Sequence, residues 1–311
     1  MVRPSAPRHL LGALACGLAL VACSDSGADA APAPPRPLLW RAEAPNGAEV
    51  WLHGTMHLGD PTLTALAPEA EAALEAAEAL WTEVEGGLEA TARLTEAGSY
   101  PPDDSLRAHL PPRVHRKLAA ALEPWGLDWQ GLDRYRPWMV QILLGDLQAR
   151  RWRGTGPVLD EALRQRARAL GKELGTLETV DEQLAAISTD PEADQVHLLE
   201  VALDRLLEDR ETGRDRMGEL VEAWRMGDAE RLLQLQEEQL DRDDPAQMRW
   251  WRRLGPERNQ RMARRILDRL ADRPRKVYVA VGAYHLIGPD SVVELLRRAG
   301  WTVERVPSRG P

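Results

Sequence analysis

Two histidines stand in matching frames at opposite ends of this chain. The first frame reads Val50-Trp51-Leu52-His53-Gly54-Thr55-Met56-His57-Leu58-Gly59, and the second reads Val277-Tyr278-Val279-Ala280-Val281-Gly282-Ala283-Tyr284-His285-Leu286-Ile287-Gly288. Each is an apolar run, then Gly-x-x-His, then apolar residues and another glycine. A neutral imidazole can ligate a transition metal or accept a proton, and a protonated one can donate it. Gly54 and Gly282 are read as turn-forming, because a glycine lets a strand end tightly without a Cβ clash. The histidine that follows then lies outside the carboxyl end of its strand, where α/β folds place ligands. His57 and His285 converge if the two strands are neighbours. The spacing alone is equally compatible with two core or loop histidines whose hydrogen bonds are satisfied. His109, His115 and His197 fall on helical stretches without matching partners and read as structural or surface residues.

The elements that must position these residues follow from periodicity. Leu38–Ala42 and Glu49–His53 are short apolar runs around Pro45-Asn46-Gly47, a strong hairpin signal. Pro68 starts a helix through Ala79 with Ala70, Ala73, Leu74 and Ala77 as its apolar stripe, and Leu80–Glu85 reads as a strand. From Ser105 to Asp272 the pattern is mainly helical, with stretches at Leu106–Leu122, Pro137–Arg150, Leu159–Leu170, Val180–Ile187, Glu192–Arg210, Arg214–Arg225, Asp228–Leu240 and Pro256–Leu270. A β-like run, Glu173–Leu177, interrupts them. Strand signals return at Lys276–Val281 and Thr302–Val306, joined by a helix over Asp290–Ala299 that stops at Gly300. The expected fold class is α/β: a mixed central β-sheet formed from the N- and C-terminal segments, with a large helical insertion from about 100 to 270.

Composition bounds the rest. Arg3, Arg8 and His9 precede an apolar run, Leu10–Ala22, too short to span a membrane comfortably. It ends in Leu20-Val21-Ala22-Cys23, which resembles a bacterial lipobox. Residues 1–22 therefore read as a lipoprotein signal peptide and Cys23 as the lipidation site. Ser24 after the cysteine points to the outer membrane, with the domain facing the periplasm. Residues 23–37 read as a Pro/Ala-rich disordered tether, leaving 38–311 as the domain. Cys16 leaves with the signal and Cys23 takes the lipid, so no thiol remains for a disulfide or a Cys metal site. The net charge of −9 excludes the electrostatic footprint of a nucleic-acid binder. Arg supplies nearly all the positive charge and Phe is absent, which we read as coding bias.

With these residues in view, the chain resembles the TraB/GumN family, related to the Tiki metalloproteases. Five blocks carry the resemblance in order: LHGTMHLG, LAPEAEAALEAAEALWTEVE, LDEALRQRARALGKELGTLETVDEQLAAI, ERNQRMARRI and VGAYHLIGPDSVVELLRRAGWTVERV. His53 is a departure, where the family more often has an apolar residue. The resemblance implies a metal site of His57, His285 and Glu83, with Glu83 alternatively the general base. Two imidazoles and a carboxylate suit Zn²⁺, Mn²⁺ or Co²⁺, and such an ion can acidify a bound water and polarise a carbonyl. Arg258 is the candidate for binding a substrate carboxylate or stabilising an oxyanion. Asn259, Glu85 and Glu178 are candidates on the substrate side. Glu85, two residues from Glu83, shares its face of a strand, whereas Glu178 and Gln183 can also serve by joining the helical region to the sheet.

The reading that follows is a metal-dependent hydrolase of the cell envelope, a peptidase or esterase acting on a peptide or small molecule. The alternative is a non-catalytic protein that sequesters a peptide or a haem-like cofactor in the same cleft. Fold resemblance alone does not choose between them.

Overall fold

The computed structural model describes residues 34–308. The expected signal peptide (1–22), Cys23 and the first part of the tether lie outside the described residues. Six strands form one sheet: β1 (Leu38–Glu43), β2 (Glu49–Thr55), β3 (Ala79–Thr82), β4 (Glu173–Thr176), β5 (Lys276–Gly282) and β6 (Thr302–Arg305). Their order is β4-β3-β5-β2-β1-β6. The run β4-β3-β5-β2 is parallel throughout, while β1 is antiparallel to both β2 and β6. The two ends of the chain thus meet at the centre of the sheet, with Gly54 beside Val281 and Thr55 beside Gly282. β2 and β5 are apolar almost without interruption because helices cover both faces of a parallel sheet.

The β1–β2 hairpin turns at Gly47, whose left-handed φ of 87° a side chain would oppose. Asn46 accepts from the Ala48 N–H and donates to the carbonyls of Leu270 and Ala271, tying the hairpin to the end of helix Pro256–Ala271. The expected tether ends earlier than residue 37. Pro35 and Pro37 are buried, the Arg36 N–H donates to the Arg225 carbonyl at 2.8 Å, and Arg305 donates to the Pro37 carbonyl at 2.9 Å.

The helical insertion is two stretches on either side of β4, with a second core of its own that includes Tyr100, Leu118, Val140, Leu199 and Leu203. The continuous helix expected over Leu106–Leu122 is instead Leu106–His109 and Pro112–Leu122. Pro111 and Pro112 lack N–H donors and push their predecessors out of helical geometry. Helices Leu88–Ala97 and Pro245–Leu254 escape the periodicity reading; the first buries no residue at all. Among the described residues, no helix is long and apolar enough to cross a membrane.

Candidate active site

Because β4, β3, β5 and β2 run parallel, their carboxyl ends lie along one edge of the sheet. Glu178, Glu83, His285 and His57 each follow immediately beyond one of those ends. A cavity of about 510 Å³ opens over this edge. Its floor includes Glu83, His57 and Arg258, and its far wall comes from the insertion, through residues such as Trp138, Ile187, Leu198 and Trp250.

Glu83 is the hub. β3 ends at Thr82, so Glu83 leaves the strand and turns inward, 7 % exposed. Its Oε1 accepts from the Gly282 N–H at 2.6 Å, and its Oε2 accepts from Arg258 at 2.6 Å and Gln183 at 3.0 Å. Burial alone would raise this carboxyl, but the charges of His285, Arg258 and His57 and the Gly282 N–H outweigh it and hold it at about 2. Gly282 has φ −51°, an ordinary value, so what its missing side chain supplies is room: a Cβ there would lie 3.2 Å from Glu83 Oε1. Gly54 likewise sits inside β2 and permits close approach, since its Cβ would lie 3.0 Å from Leu38 Cβ and 3.1 Å from Ala283 Cα. Both glycines therefore act by packing rather than by adopting a left-handed turn.

His285 follows β5 in a single turn of 3-10 helix and is 8 % exposed. Asn259 fixes its tautomer. The Asn259 side chain donates from Nδ2 to the Asp290 carbonyl at 2.8 Å, which turns its Oδ1 toward His285 Nδ1 at 2.6 Å. Nδ1 must therefore carry the hydrogen, and Nε2 keeps its lone pair. That Nε2 lies 3.6 Å from Glu83 Oε1. Burial pushes His285 down to about 4, against the raising effect of Glu83, so the ring is neutral at neutral pH.

His57 has the opposite surroundings. Its side chain is 66 % exposed, and Nδ1 lies 3.2 Å from Asp160 Oδ2. The hydrogen bond and charge of Asp160 raise it to about 9. Asp160 also accepts from the Thr55 hydroxyl at 2.9 Å, so strand β2 holds both partners. Asp160 was not singled out by sequence reasoning, although it lies inside one of the five blocks; an acid in the first turn of a helix was the available signal. His53 belongs to the core: it is 3 % exposed, its Nδ1 shares a hydrogen bond with the Tyr278 hydroxyl at 2.7 Å, and burial lowers it to about 4.

Several expected substrate contacts have other partners. Arg258 lines the cavity, but its guanidinium is spent on Glu83 and on Glu178 at 2.6 Å. Glu178 is 1 % exposed beneath Arg258 and Arg261, and Asn259 is 3 % exposed between His285 and Asp290; neither lines the cavity. Glu85 does not share a face with Glu83, because the strand stops first; it is exposed and meets Arg164 at 3.2 Å.

The donor types suit a divalent transition metal. Two lone-pair donors, each about 2.0–2.2 Å from one tetrahedral ion, stand about 3.4 Å apart, and the His285–Glu83 separation of 3.6 Å is close to that. The Asn259 contact is the outer-shell partner such a histidine ligand requires. His57 is held apart on Asp160, and among the described residues no three His, Cys, Asp or Glu side chains are gathered round one point.

The TraB/PrgY/gumN family matches residues 38–305. Metalloprotease TIKI1 of Danio rerio is 25% identical over 309 residues, covering 84% of this chain and 62% of the relative. Metalloprotease TIKI2 of Danio rerio is 25% identical over 331 residues, with 88% and 61% covered. The Metalloprotease TIKI homolog of Nematostella vectensis is 26% identical over 198 residues, with 58% and 41% covered. The chain thus spans less than two thirds of the length of these relatives.

Proposed function

The chain belongs to the TraB/PrgY/gumN family, and from that premise we propose that it is a metal-dependent hydrolase of peptide bonds, working in the cleft above its parallel strands. The observation that carries this reading is the pair His285 Nε2 and Glu83 Oε1, two acceptor atoms 3.6 Å apart, with the imidazole tautomer set by Asn259 and Oε1 held in place by the Gly282 N–H. Two acceptors facing each other invite a cation between them. His285, Glu83 and His57 are the residues that would hold it. A divalent transition metal bound there would supply a Lewis acid for a carbonyl and a water acidified toward neutral pH.

The chain's own residues have definable work. Arg258, Gln183 and the Gly282 N–H keep Glu83 ionised and fixed. Glu178 keeps Arg258 in place from below. Asn259 holds the proton on Nδ1 of His285 and so keeps Nε2 available. His57 carries a proton at neutral pH, and ligation by it must release that proton.

Calorimetric titration with Zn²⁺, Mn²⁺ and Co²⁺ tests the site without relying on turnover. The expected result is one ion per chain, bound more tightly as pH rises from 6 to 8. Asn259→Leu is expected to weaken binding about 10- to 100-fold, the usual effect of removing an outer-shell partner. A chain that retains no ion and shows no chelator-sensitive peptide hydrolysis sinks the proposal; tight peptide binding without turnover would return the sequestration reading.

A further inference from the structure

The resemblance pointed to Arg258 as the group that meets a substrate carboxylate, and the structure leaves that role to be filled. The cavity is lined by four acids, and each has a partner. Glu83 is held by Arg258, Asp160 by His57 and Thr55, Asp190 by Arg253 at 2.8 Å, and Glu161 by Arg168 at 3.4 Å. Of the lining cations, Arg258 is committed to two buried glutamates and His57 to Asp160.

Arg164 is different. It sits on helix Leu159–Ala169 and lines the cavity, yet it is 4 % exposed. Its Nη1 donates to the Thr82 hydroxyl at 3.0 Å, its Nε has no partner, and its one carboxylate is Glu85 at 3.2 Å. Glu85 is 72 % exposed and hydrated, so it neutralises a buried guanidinium poorly. A buried cation needs pairing and hydrogen bonding, and the cavity is the side from which a further anion can come. The same cavity presents an apolar wall of Trp138, Ile142, Ile187, Leu198, Trp250 and Leu254.

We propose that Arg164 recognises the free C-terminal carboxylate of a peptide whose last residue is apolar, with the apolar wall taking that residue's side chain. A guanidinium suits this task because its planar fork matches a carboxylate in two hydrogen bonds. The inference deepens the peptide-hydrolase reading and rests on it for the use of this cleft. Arg164 is a specificity residue, and the Glu83–His285 pair would carry the chemistry.

The test is binding of N-acetylated tripeptides ending in Leu, Phe or Trp, each as free acid and as carboxamide, to the full chain in the presence of a chelator. The free acids are expected to bind about 10- to 100-fold more tightly than the amides, the range for a hydrogen bond to a charged group. Arg164→Gln should abolish the difference, and Arg164→Lys should restore part of it. Glu85→Gln removes the competing carboxylate with an isosteric side chain at an exposed position, and should tighten acid binding severalfold. Equal binding of acid and amide overturns the proposal, as does binding of neither. Binding of an amidated peptide through an internal Glu, matching the free acid, also overturns it. Turnover is measured separately with metal restored, so carboxylate-dependent binding without hydrolysis would leave this assignment standing and remove the hydrolase reading.

Discussion

The two Gly-x-x-His turns are near copies in sequence and opposites in the fold. The turn after β5 buries His285, keeps it neutral, and fixes its tautomer through Asn259. The turn after β2 leaves His57 two thirds exposed and charged by Asp160. The difference comes from what packs over each turn. Helix Pro256–Ala271 lies against the first and delivers Asn259 to His285 and Arg258 to Glu83; at the second, the Trp224 indole donates to the Gly54 carbonyl and the start of helix Leu159–Ala169 sets Asp160 beside His57. A motif thus sets where a histidine emerges, and the neighbouring helix sets its charge.

The largest expected effect separates the two turns by stability. Arg258→Met leaves buried Glu83 without its arginine and buried Glu178 with Arg261 alone, at 3.4 Å. Removing one partner of a buried pair typically costs about 3–5 kcal/mol, and that loss is expected in denaturant unfolding. Asp160→Asn is expected to cost less, because its partner His57 is two thirds exposed and water screens the lost attraction. Equal losses at the two turns would erase the distinction drawn between them.

The glycines sharpen the comparison at a smaller scale. In Gly54→Ala the new Cβ would stand 3.0 Å from Leu38 Cβ in β1 and 3.1 Å from the Ala283 Cα in the turn after β5, so backbone must shift. A destabilisation of about 1–3 kcal/mol is expected in thermal or denaturant melts, in the range for overpacking. Gly282→Ala meets instead the end of a side chain, Glu83 Oε1 at 3.2 Å. Its expected effect is smaller on stability and larger on metal affinity, because the carboxylate must shift. A tolerated Gly54→Ala would show that the two turns are not packed against each other as described.

These contrasts mark what could be read before folding. That the two ends of the chain build the sheet was legible, and the pairing of β2 with β5 meets the condition on which the two motifs were expected to converge. So was the helix bearing Arg258, whose buried positions Asn259, Met262, Ala263, Ile266 and Leu270 keep a helical period. The partners of Arg258 were not legible, because an arginine among Arg261, Arg264 and Arg265 is indistinguishable from a surface residue until the carboxylates of β3 and β4 are brought beneath it. Glu85 misled for a related reason: strand alternation assumes the strand continues, and β3 stops at Thr82. Arg164 gave no signal, as its burial arises only when the insertion closes over the sheet.

The smallest effect tests the charge assignment directly. NMR titration of the imidazole rings, with chelator present, should place His57 near 9 and His285 near 4. The signs of the linked stability changes are opposite. The folded value of His285 lies below the ordinary 6.5, so the unfolded chain binds the extra proton between them. Stability therefore falls as pH drops from 6.5 toward 4, and His53, also lowered to about 4, adds to that fall. His57 is raised from 6.5 to about 9, so its contribution is complete below 6.5 and is lost as pH rises through 9. His57→Gln should flatten the alkaline limb of a stability–pH curve and leave the acid limb intact. His285→Gln should soften the acid limb without removing it, because His53 remains. Two rings that both titrate near 6.5 would mean that neither the burial of His285 nor the charge of Asp160 distinguishes the turns.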